Sequence, residues 1–444
     1  MTNRNEEQRP AAVLEAKQVG EVRARWAWAE PCVWTERMLT ALEEGVKGGV
    51  WFSLIDKVSA PRVLRWAFAA VEQNGGAAGV DHQTIAMYGK RMEQHTEYLT
   101  RTLKEGCYQP AAVRRVMIPK PGSREKRPLG IPTVRDRVVQ KALLATLEPI
   151  FEREFAEQSY GFRPGRGCKA ALRRVDQLLK DEYGWVVDAD LEKFFDTILH
   201  EVLMQLVAKQ IADGRVLKLI EKYLQQGVLE NMREWQPETG TPQGAVISPL
   251  LSNIYLNPLD HLLAASGIEM VRYADDFVLL CRSEHEARRA LALVQQWTMA
   301  VGLTLHPEKT RIVDATKQGG FDFLGYHFER GYRWPRRKSI KKFKDMIRVK
   351  TKRANGQSLQ VVIANVNRTT RGWFGYFKHS HRYTFRPLDQ FIRMRLRSLL
   401  RRRSGRRGIA SGGESVRWPN AFFAEQELFS LCTAHAQLRQ SFMR

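Results

Sequence analysis

The spacing of apolar side chains predicts helices in the middle of the chain. Apolar residues recur every third or fourth position from Arg135 to Phe155 and again from Glu201 to Ile211, as one face of a helix requires. A third helical segment runs from Pro249 to Leu263, and its proline lies in the first turn, where it costs no hydrogen bond. Ser283 and Glu286 form an S-x-x-E capping box, which indicates that a further helix begins there.

Short extended runs separate these helices. Val113–Pro119 and Pro128–Pro132 flank a turn-rich basic stretch and predict a β-hairpin. Val186–Leu191 predicts a single strand, and Met270–Tyr273 with Phe277–Cys281 predicts a second hairpin with acidic residues at its tip. Strands and helices therefore alternate around an antiparallel hairpin, and the expected fold class is α+β.

The net charge of the chain is concentrated in its last quarter. The whole chain has 71 Lys and Arg, 48 Asp and Glu, a formal net charge of +23 and a pI near 10.0. From Arg330 to Arg444 there are 28 basic and five acidic residues, so the preceding 329 residues hold 43 of each. A polyanion is therefore the first expected partner, and an anionic membrane surface is the second.

The same basic quarter is rich in aromatic side chains, a combination that is typical of RNA binding because cations contact phosphates while aromatic rings stack on bases. Several of these rings must nevertheless form a core. If six phosphates are neutralised, log affinity should fall with log salt at a slope of about −5. The aromatic residues are Trp334, Trp373, Phe374, Tyr376, Phe377, Tyr383 and Phe385.

Length and composition exclude several classes of protein. A chain of 444 residues with 43% hydrophobic residues suits two or three globular domains of about 150 residues each. Its five cysteines include no C-x-x-C pair, which argues against a disulfide framework and a zinc ribbon. No signal-peptide core and no run of about 18 apolar residues is present. We expect a soluble, cytoplasmic protein with no membrane partner.

Two acidic positions, far apart in the sequence, each fall where a predicted strand meets a turn. Asp190 ends one strand, and Asp275 and Asp276 lie at the tip of the second hairpin. If these carboxylates converge, they repel one another unless a cation lies among them, and oxygen-only ligands favour Mg²⁺. Two such ions about 4 Å apart can support phosphoryl transfer. Taken alone, however, an Asp-Asp pair is more often a polar hairpin turn.

Sequence blocks around these carboxylates resemble the motifs of reverse transcriptases. Tyr273–Asp276 is similar to their Y-x-D-D box, and Asp190–Asp196 resembles the D-h-x-x-F-F-D palm motif of bacterial members. Five further blocks resemble motifs of the same family, and all seven follow its order. These are Lys120–Pro132, Ser159–Gly167, Gly240–Leu250, Gly302–Lys309 and Phe323–Tyr326.

Within that family the chain is most similar to group II intron reverse transcriptases, also called maturases. Gly75–Asp81 resembles their additional N-terminal block, and Arg371–Phe377 resembles the R-G-W-x-x-Y element of their thumb and X domain. The resemblance implies a right-hand polymerase. Its expected parts are an N-terminal extension (1–74), fingers (75–170), a palm (171–331) and a basic thumb and X domain with a C-terminal tail (332–444).

For the acidic residues, the resemblance implies that Asp190 and Asp275 bind two Mg²⁺ ions, for which Mn²⁺ can substitute, while Asp276 supports the pair. Asp188 and Asp196 are expected to have structural roles instead. Asp188 would be a solvated strand residue, and Asp196 would be an N-terminal helix cap.

The resemblance also implies contacts with nucleotides and nucleic acid. Lys120 and Arg127 would grip triphosphate oxygens from the two arms of the first hairpin, although the residues alone fit a solvated basic loop equally well. Phe195 would pack beneath the incoming sugar and exclude a ribose 2′-hydroxyl, leaving Phe194 to the core. The remaining expected contacts are Gln243, flanked by Gly244, at the nascent base pair, Lys309 near the triphosphate, Arg163 and Arg166 on template phosphates, and Gly325 and Tyr326 in the primer grip.

The resulting functional prediction is an intron-encoded enzyme that copies RNA into cDNA and also binds intron RNA to assist splicing and mobility. Its expected partners are an RNA template, group II intron RNA, a DNA primer or target and dNTPs, with the oligomeric state left open. Two alternatives remain: a domesticated stand-alone reverse transcriptase, or a splicing factor with incidental polymerase activity. No paired Cys and His spacing follows Arg403, so we expect no intrinsic second-strand cleavage.

Overall fold

The computed structural model describes residues 22–46, 48–119, 126–230, 233–352, 356–406 and 412–441. Its named helices are α1 Glu36–Glu44, α2 Ile55–Val58, α3 Pro61–Asn74, α4 Ile85–Gly89, α5 Met92–Lys104, α6 Val134–Glu152, α7 Cys168–Lys180, α8 Phe194–Thr197, α9 His200–Ala208, α10 Gly214–Leu224, α11 Ser248–Ala265, α12 Glu284–Ala300, α13 Arg337–Lys350, α14 Leu359–Phe377, α15 Phe385–Arg403, α16 Gly412–Arg417, α17 Asn420–Glu425 and α18 Leu431–Ser441. Its strands are β1 Val113–Pro119, β2 Lys126–Ile131, β3 Trp185–Asp190, β4 Val228–Glu230, β5 Arg233–Trp235, β6 Glu269–Tyr273, β7 Asp276–Cys281, β8 Arg311–Asp314, β9 Phe321–Phe323, β10 Tyr326–Glu329 and β11 Tyr332–Pro335.

Three sheets organise these strands, and the predicted α+β class is confirmed. The central sheet has the order β6-β7-β3-β8, with every neighbouring pair antiparallel. A second sheet, β2-β1-β4-β5, contains the predicted basic hairpin of β1 and β2. The third sheet, β9-β10-β11, leads into the C-terminal helices.

The central sheet is buried on both faces because its apolar side chains alternate between two cores. One face packs with the N-terminal helices and α6, and the other packs with the third sheet and the C-terminal helices α13, α14 and α15. The sheet therefore fixes both halves of the molecule against each other. The first face carries Val187, Ala189, Met270, Phe277 and Leu279, and the second carries Val186, Val271, Val278 and Leu280.

Tyr326 belongs to the second core. Its side chain is 2% exposed, its ring lies 4.9 Å from that of Phe377, and its hydroxyl donates a hydrogen bond of 2.7 Å to the Tyr376 carbonyl. A primer cannot reach this ring, so the predicted primer contact of Tyr326 is wrong. Gly325 lies just before it, in the tight connection between β9 and β10, and its carbonyl accepts a hydrogen bond of 2.9 Å from the Arg336 amide.

The predicted palm boundary at Gly331 falls in the turn between β10 and β11. These two strands pair along their length, from Tyr326 opposite Pro335 to Glu329 opposite Tyr332. Because β10 also pairs with β9, the boundary cuts through one sheet. The proposed division into fingers, palm and thumb stays a prediction.

The glycine-rich loop after α3 is anchored to α6. The Arg137 guanidinium donates hydrogen bonds to the carbonyls of Gly75 (3.3 Å) and Ala77 (2.7 Å). The loop thus lies against the start of the long helix α6, whose first turn Thr133 caps.

None of the helices in the described ranges is both long enough and apolar enough to cross a membrane.

The burial of Tyr326 generates a test. Tyr326→Phe removes one hydrogen bond inside the second core, so the free energy of unfolding should fall by about 1 kcal/mol while primer affinity stays unchanged. Urea denaturation measures the first quantity, and titration of a labelled primer–template measures the second. Tyr332→Phe is the matched control, because Tyr332 lies in the same sheet and is 56% exposed. Weaker primer binding at unchanged stability would contradict the core assignment.

Candidate active site

Asp190 and Asp276 lie side by side at one end of the central sheet. Asp190 is the last residue of β3, Asp276 is the first residue of β7, and the strand register places them directly opposite each other. Asp275 lies in the turn between β6 and β7, next to Ala274, whose φ is +61°. We call Ala274 and Asp275 the acidic turn. The structure thus brings together the three predicted carboxylates from two distant sequence blocks.

These carboxylates share a negatively charged environment at the end of the sheet. Protein atoms displace water around Asp276, although its surface is exposed at the sheet end, and Asp275, Asp188 and Asp190 add negative charge, which together raise its pKa to about 7. Burial likewise raises the pKa of the half-buried Asp275, and the Arg127 guanidinium partly offsets that rise. A bound cation would relieve the same repulsion.

Cationic side chains contact the acidic residues of β3. Lys309 Nζ lies 2.6 Å from Asp190 Oδ2, and both side chains are about half exposed. Arg311 Nε lies 3.3 Å from Asp188 Oδ2. Asp188 is therefore a paired structural residue and not a solvated one. Within the described ranges, no three His, Cys, Asp or Glu side chains are arranged so that they could hold a metal ion together without moving.

The donor set nevertheless fits a divalent cation. The candidate ligand atoms of Asp190, Asp275 and Asp276 are carboxylate oxygens, which hard divalent ions prefer. Like-charge repulsion at Asp276 is what such an ion neutralises. Reverse transcriptases use divalent metal ions, and this end of the sheet is where this chain would hold them.

A buried ion pair that the sequence did not reveal supports the acidic turn. Arg272 of β6 and Asp260 of α11 are both 0% exposed, and Arg272 Nε and Nη2 lie 2.8 and 2.5 Å from the two oxygens of Asp260. Arg272 Nη1 also donates 2.9 Å hydrogen bonds to the Ala274 carbonyl and to Asn253 Oδ1. The only sequence signal was the position of these charges among apolar residues, Asp260 within α11 and Arg272 after Met270 and Val271 in β6.

A glycine makes room behind the same turn. A Cβ atom on Gly161 would lie 2.2 Å from the Ala274 amide nitrogen, so no larger residue fits there. The Gly161 carbonyl accepts a 2.8 Å hydrogen bond from Asn253 Nδ2, which ties this segment to α11. The block around Gly161 therefore acts as a support for the acidic turn.

Arg163 belongs to the same block as Gly161, and its burial corrects its predicted role. Its side chain is almost fully buried, pairs with Glu152 at 2.8 Å and donates to the Ala156 and Ser159 carbonyls. The guanidinium has no surface left for a template phosphate, so the predicted template contact of Arg163 is wrong. Arg166 is partly exposed, donates a 2.7 Å hydrogen bond to the Glu157 carbonyl, and stays a candidate.

Two predicted nucleotide contacts line one cavity. Phe195, which is partly exposed, and Gln243 both border a cavity of about 600 Å³ that also borders Gly130 of the basic hairpin. Phe194 is 2% exposed and belongs to the core, as expected. Arg127 is exposed on β2, and Lys120 lies outside the described residues.

Gly244 was expected to let the backbone approach the nascent base pair, but in the structure it lets the backbone approach the basic hairpin. Its φ is +108°, and an added Cβ would lie 2.6 Å from the Gly130 carbonyl oxygen. The Gly130 amide donates a 2.7 Å hydrogen bond to the Gln243 carbonyl. The glycine thus lets the Gln243 loop pack on the basic hairpin.

Asp196 borders the same cavity, but Lys193 is the residue at the N-cap of α8, so the predicted capping role of Asp196 is wrong.

Comparison with known proteins agrees with this geometry. Residues 118–328 match the family "Reverse transcriptase (RNA-dependent DNA polymerase)", and residues 340–412 match "Group II intron, maturase-specific domain". The chain is 33% identical over 348 residues to Protein YkfC of Escherichia coli (strain K12), which covers 69% of this chain and 86% of that protein.

Two further relatives carry intron names. Group II intron-encoded protein LtrA of Lactococcus lactis subsp. cremoris is 43% identical over 205 residues, covering 45% of this chain and 33% of LtrA. Nuclear intron maturase 1, mitochondrial, of Arabidopsis thaliana is 28% identical over 268 residues, covering 49% of this chain and 36% of that protein. The chain thus matches about a third of the length of each.

The central antiparallel sheet with its paired carboxylates, followed by basic helices, defines a template-directed nucleic acid polymerase. The chain belongs to the family of group II intron-encoded reverse transcriptases and maturases. It is an RNA-directed DNA polymerase with a maturase domain, and the family acts in intron splicing and mobility.

The buried ion pair generates a second test. Arg272→Met leaves the Asp260 carboxylate buried without a partner, so the free energy of unfolding should fall by about 3–5 kcal/mol. The double variant Arg272→Met/Asp260→Leu should recover most of that loss, yet extend primers poorly, because the Ala274 carbonyl still lacks its donor.

Urea denaturation and a primer-extension assay measure the two effects. The control is Arg288→Met, since Arg288 is 70% exposed in its pair with Glu284 and should contribute less than about 1 kcal/mol. A single Arg272→Met variant as stable as the parent protein would show that the pair does not support the turn.

Proposed function

We propose that this protein copies an RNA template into DNA with two Mg²⁺ ions held by Asp190, Asp275 and Asp276, using dNTPs and a DNA primer. The observation that carries this proposal is the register of the central sheet, which sets Asp190 opposite Asp276 beside the acidic turn. When bound, the two ions would activate the primer 3′-hydroxyl and neutralise the charge of the leaving pyrophosphate.

The side chains around the carboxylates position the substrates. The exposed Arg127 guanidinium, close enough to influence Asp275, supplies a planar donor for triphosphate oxygens. Lys309, which pairs with Asp190 in the protein without substrate, is placed to donate to the same triphosphate. These two cations approach the nucleotide from the basic hairpin and from the segment before β8.

Phe195 forms the floor of the sugar site in this proposal. Its ring meets that of Phe194 edge-on at 5.3 Å, and because Phe194 is buried, Phe195 cannot swing away from the cavity easily. A ribose 2′-hydroxyl would collide with this ring, whereas a deoxyribose leaves it undisturbed.

The basic C-terminal region supplies the RNA partner surface. We propose that it binds group II intron RNA to assist splicing and mobility, because 28 of the 71 basic residues lie from Arg330 onward and the maturase-specific match begins at residue 340. We also propose that the protein is cytoplasmic. All five cysteines are free, and a reducing compartment keeps cysteines in that state.

Substitution of one ligand separates polymerase activity from RNA binding. Asp275→Asn should reduce Mg²⁺-dependent primer extension at least about 100-fold, since residues that only support metal ligands already cost 10–100-fold. RNA affinity, measured by fluorescence anisotropy, should stay the same.

Asp181→Asn is the control for that experiment, because Asp181 is an exposed carboxylate after α7 whose partner is Gln177. Full polymerase activity of Asp275→Asn would exclude the proposed metal site. Absence of activity in the parent protein, with RNA binding intact, would instead favour a splicing factor without polymerase function.

Sugar discrimination tests Phe195. Phe195→Ala opens the cavity floor, so single-nucleotide extension with a ribonucleotide should rise at least about tenfold relative to the deoxynucleotide. Phe194→Leu serves as the control, since it alters the core beside Phe195 and should change stability without changing selectivity. Unchanged discrimination in Phe195→Ala would remove Phe195 as the gate.

A further inference from the structure

A second cavity lies away from the carboxylates, between β11, the segment after α14 and the C-terminal helix α18. Its volume is about 490 Å³, within the range of pockets that hold one small ligand. Three histidines that are dispersed in sequence, His379, His381 and His435, border it together. The segment from Lys378 to Arg382 falls within the maturase-specific match at 340–412, whereas Tyr332 and α18 lie outside both matched ranges.

The cavity is cationic. Lys378, Arg382 and Arg439 line it, and none of its described lining residues is an Asp or Glu. Loss of hydration and the neighbouring cations lower the pKa of His379 and of His435, so these imidazoles are neutral near pH 7 and act as hydrogen-bond donors and acceptors. The cationic lining, which contains no described carboxylate, therefore suits an anion with polar groups.

A row of aromatic rings continues from the cavity onto the surface. Tyr332 and Trp334 are two residues apart on β11 and therefore face the same side of the sheet. The His381 ring lies 4.9 Å from Tyr332, 5.7 Å from Trp334 and 4.9 Å from Tyr383. Tyr332 is 56% exposed and Tyr383 is 67% exposed, so both rings are accessible to a stacking partner.

The elements that build this surface are held in place. The His381 amide donates a 2.8 Å hydrogen bond to the Arg333 carbonyl, which joins the segment after α14 to β11. The buried carboxylate of Asp389 accepts hydrogen bonds of 3.0 Å from the Leu431 and Cys432 amides at the start of α18. This contact fixes the helix that carries His435 and Arg439.

Two buried polar atoms of residues that line the cavity, His381 Nδ1 and Ser380 Oγ, have no hydrogen bond to any described residue. Buried polar atoms without a partner are rare in folded proteins, and a polar ligand would pair these two once their side chains turn toward the cavity. The Arg382 guanidinium lies 5.0 Å from the Tyr383 ring. Together the two side chains offer a positive charge to the phosphate of a nucleotide and an aromatic surface to its base.

We propose that this cavity and its aromatic row form a second RNA site, which takes a single-stranded segment with unstacked bases. Bases in a duplex are already stacked on each other, so exposed rings select single strands, and Lys378, Arg382 and Arg439 contact the phosphates. The inference rests on the proposed RNA-binding function and assigns part of it to named residues outside the polymerase cleft.

The test measures RNA affinity and polymerase activity separately. The probe is a short fluorescein-labelled oligouridylate, added after an unlabelled RNA–DNA primer–template has filled the cleft. Tyr332→Ala/Tyr383→Ala should lower its affinity at least about tenfold and leave primer extension unchanged. Tyr332→Phe/Tyr383→Phe should keep the affinity, because the ring and not the hydroxyl provides stacking.

The salt dependence of RNA affinity tests the phosphate contacts separately. Arg382→Gln/Arg439→Gln should make the slope of log affinity against log salt shallower by about 1.4, since each phosphate contact to a single strand contributes about 0.7. The matched control is Arg417→Gln, because Arg417 also lies over an aromatic ring, that of Trp418, at 4.9 Å.

Three results would overturn the proposal. They are an unchanged affinity in the tyrosine double alanine variant, equal binding of oligodeoxyuridylate by the parent protein, and a parallel loss of primer extension and RNA affinity, which would place these rings in the cleft. A parent protein without polymerase activity would count against the proposed function alone, because oligouridylate binding and its loss in the variant do not depend on catalysis.

Discussion

The ion pair of Arg272 and Asp260 is the constraint on which the candidate active site depends. Two fully buried charges are stable only with each other, so β6 cannot shift along α11 without exposing one of them to an apolar core. The same guanidinium holds the Ala274 carbonyl, and the acidic turn is therefore as fixed as the pair. A site that gathers like charges needs such a support, because repulsion among the carboxylates pushes the turn away from Asp190.

The central sheet extends this constraint to the whole molecule. Its two apolar faces serve two different cores, and the third sheet together with the C-terminal helices packs on the second face. Tyr326 and Tyr376 join β10 to α14 through hydrogen bonds in both directions, since the Tyr376 hydroxyl donates to the Leu324 carbonyl. The C-terminal helices thereby have a defined position relative to the carboxylates.

Net charge differs between the first 329 residues and the C-terminal quarter of the chain. The part of the chain before Arg330 is formally neutral, so no excess of basic residues offsets the negative charge of the carboxylate cluster. The excess of basic residues follows Arg330, where aromatic rings interrupt it. Some of those rings form the core, as Trp373 and Phe377 do, and others stay open, as Tyr383 does.

The sequence by itself determined the α+β class, the two hairpins that flank Val186–Leu191, the family and the three candidate carboxylates, because each depends on local periodicity or on a short block of residue types. It could not separate Arg163 and Tyr326 from true nucleic acid contacts, since a motif position carries no information on burial. Only the tertiary structure decided that Arg163 pairs with Glu152, that Arg272 meets Asp260, and that dispersed histidines share one cavity. Those outcomes depend on contacts between distant segments, which only the packing of the sheets and helices creates.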